Sequence, residues 1–176
     1  ESHIYLDEAT SCFGNQALNG GGGCLLWEPT ATNINDNKWK QYKPTIENDQ
    51  LISNNNAAYG AKLATPGASL KVAASEKMTT NDINVLEPFP KVDILDWYGV
   101  VVNGAFAKDT EITAKLHESK VELFGATVEK ADKKGSVTFK TLGLQGTPGS
   151  GPHQLYFESK ISTGNTERLL KSTAYS

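Results

Sequence analysis

The two cysteines are the residues to which the sequence assigns the clearest chemistry. Cys12 and Cys24 are the only cysteines in the chain, and a stretch rich in glycine and asparagine separates them. A disulfide across this stretch would remove roughly 3 kcal/mol of entropy from the unfolded chain. A metal site is the weaker interpretation, because the first half has a single histidine, His3, and no Cys-x-x-Cys pair. We predict a Cys12–Cys24 disulfide, with two free thiols as the alternative, and neither a metal site nor a cofactor.

Aromatic rings form a second candidate site, because exposed flat rings stack on sugars in carbohydrate-binding modules. Trp39 and Tyr42 are the best candidates for such ligand binding, since the lysines and the glutamine around them indicate an exposed stretch. Packing in a core or at its edge is the commoner fate of such rings. The full candidate set is Trp27, Trp39, Tyr42, Tyr59, Trp97 and Tyr98.

Motifs for cation binding and catalysis are weak. Asp93, Asp96 and Asp109 lie near predicted turns and offer the oxygen ligands that Ca²⁺ prefers, but no Asp-x-Asp-x-Asp-Gly loop is present. Solvated turn carboxylates are the commoner interpretation. The sequence has neither a Gly-x-Ser-x-Gly motif nor a phosphate-binding loop with its lysine. We predict that the protein is not an enzyme, although a carboxylate pair for glycoside hydrolysis is a property of the fold that sequence leaves open.

The composition excludes several classes of partner. The chain has 176 residues and a net charge of −3, so it has no basic surface suited to nucleic acid or to an anionic membrane. It contains no apolar run of the roughly eighteen residues that a transmembrane helix needs. Because disulfides persist mainly in oxidising environments, the predicted Cys12–Cys24 bond favours an extracellular or cell-surface location.

The composition also divides the chain into an N-terminal segment, residues 1–63, and a second part, residues 64–176. The first part is rich in asparagine, contains the run Gly20–Gly23 and carries all of the net negative charge. Ile4–Leu6 and Leu25–Trp27 are apolar pieces of strand length, and Asn54–Gly60 suits either a short helical turn or a loop. With so few apolar residues, this segment must pack on its own second part or on a neighbouring subunit.

The second part alternates apolar and polar residues with the period of half-buried strands. Turn residues bound these runs at 96–99, 103–104, 132–135 and 146–152. Short strands at such spacing predict an antiparallel β-sandwich. The window from Val121 to Lys134 is the most helix-like, but its pattern also suits a strand, a turn and another strand. The predicted inward-facing residues are Val92, Ile94, Ile112, Ala114, Leu116, Val137, Phe139, Leu155 and Phe157.

The order of motifs from Ala68 to about Thr163 resembles the immunoglobulin-like repeats of large extracellular proteins, the invasin-like and filamin-like group. Residues 90–99 match a Pro-x-Val-x-Val-x-Asp-x-x-Gly pattern with Ile94 in place of the second valine, and residues 135–146 match Gly-x-x-x-Phe-x-x-Leu-x-Leu-x-Gly. A closing Leu-x-Phe strand follows at Leu155. The resemblance implies an immunoglobulin-like β-sandwich preceded by an irregular, Asn/Gly-rich, disulfide-stapled extension, and it implies no activity.

These observations favour a structural or adhesive module of an extracellular or cell-surface assembly. Exposed strand edges can accept partner strands, so self-association or binding to neighbouring surface proteins, including filament formation by strand or segment exchange, is expected. The apolar stretch from Leu169 to Tyr175 has no obvious stop and is a candidate for pairing across such a junction. A carbohydrate-binding module that binds glycans through Trp39 and Tyr42 is the alternative.

Overall fold

The computed structural model of the protein describes residues 4–29, 37–73, 79–80, 85–117, 121–147, 151–163 and 166–174. Within these ranges the regular structure consists of β-strands and short 3₁₀ helices, with no α-helix. The predicted all-β class is therefore confirmed. The 3₁₀ helices are Asn37–Tyr42, Asp49–Leu51 and Gly104–Phe106.

The N-terminal segment contains two similar runs of short strands, which we call the first coil, residues 5–26, and the second coil, residues 45–64. Strands at equivalent places in the two coils pair in parallel, β1 with β5, β2 with β6, β3 with β7 and β4 with β8. The strands of the first coil are β1 (Tyr5–Leu6), β2 (Cys12–Phe13), β3 (Gln16–Gly21) and β4 (Leu25–Leu26). Those of the second are β5 (Thr45–Ile46), β6 (Ile52–Ser53), β7 (Asn56–Tyr59) and β8 (Leu63–Ala64).

The parallel pairing corrects two expectations about this segment. Asn54–Gly60 forms neither a helical turn nor a loop, because residues 56–59 pair with β3. The Gly/Asn-rich stretch between the cysteines is likewise no free linker, since residues 16–21 form that partner strand. Local composition indicated turns here, but the hydrogen bonds of the backbone are satisfied by a chain segment about forty residues away.

The second part of the chain forms two antiparallel sheets. The first sheet has the order β16-β12-β9 and contains β9 (Gly67–Ala73), β12 (Lys91–Asp96) and β16 (Ser136–Thr138). The second has the order β15-β13-β18-β19 and contains β13 (Glu111–Leu116), β15 (Val128–Lys130), β18 (Leu155–Thr163) and β19 (Thr166–Lys171). Two further antiparallel pairs join β10 (Thr79–Thr80) to β11 (Leu86–Glu87) and β14 (Val121–Phe124) to β17 (Gly143–Gly146).

One hydrophobic core joins the two sheets, and it contains the predicted inward-facing residues. Val92, Ile112, Phe139 and Phe157 are fully buried, and the rings of the last two lie 5.0 Å apart. Alternation identified these positions because each strand turns one face to the core. Of the predicted set only Leu116 is partly buried, and it packs against the same cluster.

Two further predictions for the second part can be compared with the structure. The window from Val121 to Lys134 contains the strands β14 and β15 and no helix, as its pattern indicated. The apolar stretch beginning at Leu169 pairs within the chain, because β19 forms a hairpin with β18 in which Leu169 lies opposite Lys160. In the described part of the second sheet the other edge of β19 pairs with no strand, so pairing of this stretch across a junction with another molecule stays a prediction.

Candidate assembly surface

The disulfide closes the first coil on itself. Cys12 and Cys24 are bonded, with their Cα atoms 5.7 Å apart, which confirms the pairing predicted from the sequence. The bond joins the start of β2 to the residue before β4, so the strands between them must curve round. The first coil therefore forms one turn. The second coil stacks on it through the parallel strand pairs, as successive repeats do in solenoid proteins.

The two coils pair in register, with one shift. From β1 to the first half of β3 the paired residues are forty positions apart, as in Tyr5 with Thr45 and Gln16 with Asn56. The register then shifts by two within β3, so that Leu25 pairs with Leu63. The corners repeat as well, because Gly14 and Asn54 both have positive φ, as do Gly22 and Gly60. Left-handed corners favour glycine or asparagine, so equivalent places in the two coils carry residues of the same conformational type.

Two stacked asparagines join the coils at the first of these corners. The backbone N–H and the side-chain Nδ2 of Asn15 donate to Oδ1 of Asn55 over 2.9 and 3.1 Å. The Nδ2 of Asn55 in turn donates to the carbonyl of Cys12 over 2.9 Å. The Oδ1 of Asn55 thus accepts two hydrogen bonds from the first coil and its Nδ2 donates one to it, and the pair fixes which residue of one coil lies over which residue of the other.

A close backbone approach at Gly21 and the carboxylate of Glu47 join the two coils at other places. A Cβ added to Gly21 would lie 2.3 Å from the ring of Tyr59 and 2.7 Å from Cβ of Ala64. Only glycine allows the first coil to approach this closely. The carboxylate of Glu47, in the second coil, accepts hydrogen bonds from the hydroxyl of Tyr5 and the backbone N–H of Glu8.

The second coil packs on the core of the sheets. Tyr59 and Ala64 belong to the hydrophobic core of the sheets, and Ala58 packs against it. The hydroxyl of Tyr59 donates to the carbonyl of Thr65 over 3.0 Å, and the hydroxyl of Thr65 accepts from the backbone N–H of Trp97 over 2.9 Å. The N-terminal segment therefore packs on its own second part, one of the two arrangements that its low apolar content allowed.

Asp96 stabilises the turn at this junction. Its Oδ1 accepts the backbone N–H groups of Tyr98 and Val100 over 2.8 and 2.9 Å. Burial raises the pKa of Asp96, although the N–H groups of Val100 and Tyr98 act in the opposite direction. Within the described ranges, no three His, Cys, Asp or Glu residues are grouped so that they could hold a metal ion.

Several candidate platform aromatics instead form a buried connection between the coils and the sheets. Trp27 and Trp97 are buried together, with Tyr42 and Tyr98 half-buried against them. Trp27 Nε1 donates to the hydroxyl of Tyr98 over 2.8 Å. With Tyr59 in the core, the five rings of this set whose side chains the structure describes do not form one exposed platform.

Of the two preferred sugar-binding candidates, one is partly exposed and the other has a side chain that the structure does not describe. Tyr42 retains partial exposure at the edge of the buried aromatic cluster. Trp39 lies in the first 3₁₀ helix, and its side chain falls outside the described part of the structure. Glycan binding through these two residues stays a prediction.

Arg168 also ties the end of the first coil to the sheets. Its guanidinium lies 3.4 Å from the carboxylate of Glu28 and from the carbonyl of Pro29, and 5.1 Å from the centre of the Trp97 ring. Burial lowers the pKa of Arg168, and Glu28 partly offsets this. An arginine side chain suits this place because its planar fork can pair with oxygens while it stacks on an aromatic ring.

The first coil has an edge that pairs with no other described strand, and it exposes large apolar side chains. Among the described strands, β1 to β4 each pair with a single strand of the second coil. Five large apolar side chains of the chain from Ile4 to Leu26 are exposed, whereas the second coil has none. A solenoid that ends in solution needs a terminal repeat with a polar outer face. The exposed residues are Ile4 (37%), Tyr5 (54%), Phe13 (67%), Leu18 (63%) and Leu26 (38%).

Sequence inspection missed this surface because it looked for alternation within short windows. The signal that identifies the coils is a self-match at a distance of forty residues, in which Asn15 matches Asn55 and Ala17 matches Ala57. Repeats at fixed spacing are the sequence signature of stacked architectures. This signal is weak because it comes from two coils whose strands are short.

Comparison with known proteins leaves the fold family open. No described helix is long and apolar enough to cross a membrane. The resemblance to immunoglobulin-like repeats stays a prediction, because two antiparallel sheets over one core do not by themselves establish that topology. No protein-family model, no curated protein and no solved structure matches this chain.

Proposed function

We propose that the protein is a non-catalytic structural module of an extracellular or cell-surface assembly, joined to its neighbours through the open edge of the first coil. The observation that carries this proposal is the concentration of exposed apolar side chains on one coil of a disulfide-closed stack. An unpaired strand edge with apolar side chains is a template for pairing with another chain.

The remaining features support a mechanical role for the same segment. The disulfide closes the first coil, the Asn15–Asn55 hydrogen bonds join the two coils, and the buried aromatic cluster connects this segment to the sheets. An interaction that transmits force or fixes spacing in an assembly requires such a rigid attachment. A segment that is already ordered also loses less conformational entropy on binding a partner than a loose segment does.

Light scattering over a concentration series tests this function. We expect the apparent mass of the chain to rise with concentration, and to fall in the variant Phe13→Lys/Leu18→Lys, because lysines on an exposed edge oppose strand pairing. The matched control is Phe89→Lys, which changes an exposed phenylalanine in the second part of the chain. A chain that stays monomeric at every concentration, with no difference between the variants, would contradict the proposal.

A further inference from the structure

Two turns in the second part of the chain share the sequence pattern Asp-x-x-Gly and the same hydrogen bonds. In the first turn, Oδ1 of Asp96 accepts the backbone N–H groups two and four positions later over 2.8 and 2.9 Å. In the second turn, Oδ1 of Asp132 accepts the equivalent groups over 2.8 and 3.2 Å. Gly99 and Gly135, at the fourth position of each turn, both have positive φ. The local role of the aspartate is therefore the same in both turns.

The two aspartates differ in burial. Asp132 is exposed, whereas Asp96 is 0% exposed and its Oδ2 is buried without a hydrogen-bond partner among the described residues. Capping a turn does not require such burial, as Asp132 shows. An ionised carboxylate with one unpartnered buried oxygen is costly, because burial removes its water without supplying a donor. The burial of Asp96 therefore has a cause outside its own turn.

That cause is the packing of the second coil against the turn. The backbone N–H of Trp97 donates to Oγ1 of Thr65, the residue that follows β8, over 2.9 Å. The hydroxyl of Tyr59, on β7, donates to the carbonyl of Thr65. Burial, and then the nearby charge of Asp96, raises the pKa of Tyr59 to about 12. The carboxyl of Asp96 is thus enclosed where the coils meet the sheets.

The surroundings of Asp96 offer no cation to balance an ionised carboxylate. Among the described residues, no lysine or arginine forms an ion pair with it. Tyr59 on the second coil and Tyr98 in the turn are the titratable groups on which its charge acts, and both are uncharged at neutral pH. Arg168, the cation that lies over the ring of Trp97, pairs with a glutamate instead. Burial accordingly raises the pKa of Asp96, although backbone N–H groups act in the opposite direction.

We propose that Asp96 makes the attachment of the coils to the sheets sensitive to pH, so that the attachment is tightest when this carboxyl is protonated and weakens when it ionises. A carboxyl whose pKa is raised on folding contributes stability that is fully present below its unfolded pKa, about 3.9 for aspartate. That stability is lost as the pH rises through the folded pKa, because the folded state then holds the proton more tightly than the unfolded state. The direction is opposite to that for Glu158, whose pKa is lowered.

Replacing each aspartate by asparagine tests this role, because asparagine keeps an acceptor oxygen and does not titrate. Asp96→Asn removes the buried titrating group, and Asp132→Asn is the matched control in the exposed turn. Urea denaturation of the wild type and both variants is measured from pH 4 to pH 8, at a concentration low enough to keep the chains monomeric. The other titrating groups are common to the three proteins and cancel in the differences between their profiles.

We expect the wild type to lose stability relative to Asp96→Asn as the pH rises. The ratio of their unfolding constants should change several-fold over this range, since one unit of pKa difference corresponds to a factor of about ten. Relative to Asp132→Asn, the wild type should show no such loss. Parallel profiles for the wild type and Asp96→Asn, or an equal loss relative to both variants, would overturn the proposal.

Hydrogen–deuterium exchange locates the effect and needs no variant at Asp96. Protection factors, which correct for the intrinsic pH dependence of exchange, are measured for the wild type at β7 and at β13. Protection at β7 should fall more steeply with rising pH than protection at β13, because the second coil detaches before the sheets open. Equal pH dependence at the two strands would overturn the proposal, even if Asp96→Asn fails to fold.

The pH response of the junction is independent of the proposed structural function, because both measurements use the monomeric chain. A pH-sensitive junction in a chain that stays monomeric at every concentration would support the role of Asp96 and contradict self-assembly. A junction that does not respond to pH, in a chain that self-associates, would contradict the role of Asp96 and leave self-assembly in place.

Discussion

The coils and the sheets are held together by different interactions. The sheets bury large side chains such as Phe139 and Phe157 between two antiparallel layers. The first coil buries no large apolar side chain, and it is held by a parallel backbone ladder, the Asn15–Asn55 pair, small residues and one disulfide. The difference shows that one short chain can combine a core driven by hydrophobic burial with a segment whose order comes from covalent closure and specific hydrogen bonds.

The largest effect on stability is expected from removing a phenylalanine ring in the sheets, compared with removing one in the first coil. Phe157→Ala removes a fully buried ring from the core and should lower the free energy of unfolding by about 3–5 kcal/mol. Phe13→Ala, at a side chain that is 67% exposed on the first coil, should change it by less than about 0.5 kcal/mol. Urea denaturation followed by tryptophan fluorescence measures both. Similar losses from the two substitutions would mean that the first coil is covered in solution.

The disulfide should have the next largest effect, and it should act mainly on the coils. Cys12→Ser/Cys24→Ser reopens the loop and should lower the free energy of unfolding by about 3 kcal/mol through unfolded-chain entropy. Thermal unfolding measures the loss, and limited proteolysis at residues 14–23 locates it. Adding reductant to the double variant is the control and should change nothing. Unaltered stability and unaltered proteolysis would show that the coils hold without covalent closure.

A smaller effect tests the close approach of the two coils. Gly21→Ala places a Cβ against the ring of Tyr59 and should lower the free energy of unfolding by about 1–3 kcal/mol, the usual range for overpacking. Gly14→Asn is the matched control, because no atom lies within 4 Å of its added Cβ and asparagine already occupies the equivalent left-handed corner at Asn54. Thermal unfolding of both variants provides the comparison. Equal behaviour would indicate that the coils separate easily.

The smallest effect lies on the outer face of the sheets and depends on pH. Lys115 and Lys171 each lie 2.7 Å from the carboxylate of Glu158, and their hydrogen bonds lower its pKa. A lowered carboxylate pKa contributes stability that is present above the unfolded value of about 4.3 and is lost as the pH falls through the folded value.

Denaturation at pH 7 and pH 3 measures this contribution. Relative to the wild type, Glu158→Gln should destabilise the protein at pH 7, and the difference should become smaller at pH 3, because protonation of Glu158 removes the charge that the two lysines stabilise. Glu122→Gln, at an exposed carboxylate on β14, is the control and should show no such convergence. A difference between wild type and Glu158→Gln that is the same at both pH values would contradict the role of the two lysines.

How much the sequence predicts differs between these regions for a physical reason. Strands such as β12 and β18 have one face in the core, so the alternation of Val92 and Ile94, or of Leu155 and Phe157, is visible within a few residues. Strands of the coils are mostly two residues long and carry no such pattern. Their partners lie about forty positions away, which no local window contains.

The candidate site shows the same division. The Cys12–Cys24 bond was predictable because only one pairing of two cysteines within a molecule exists. The aromatic residues were visible, but whether Trp27 and Trp97 face solvent or each other depends on how the coils pack on the sheets. The exposed apolar surface could not be predicted from the sequence, because nothing near Phe13 or Leu18 in the chain indicates that the first coil leaves these side chains in solvent.

The sequence by itself determined the all-β class, the inward-facing residues of the sheets and the disulfide. These features follow from local period and composition, which act over a few residues or over the whole chain. The tertiary structure alone decided the stacking of the two coils and the junction around Asp96. These depend on contacts between distant segments, where the free energy comes from backbone pairing and close packing that short-range patterns do not encode.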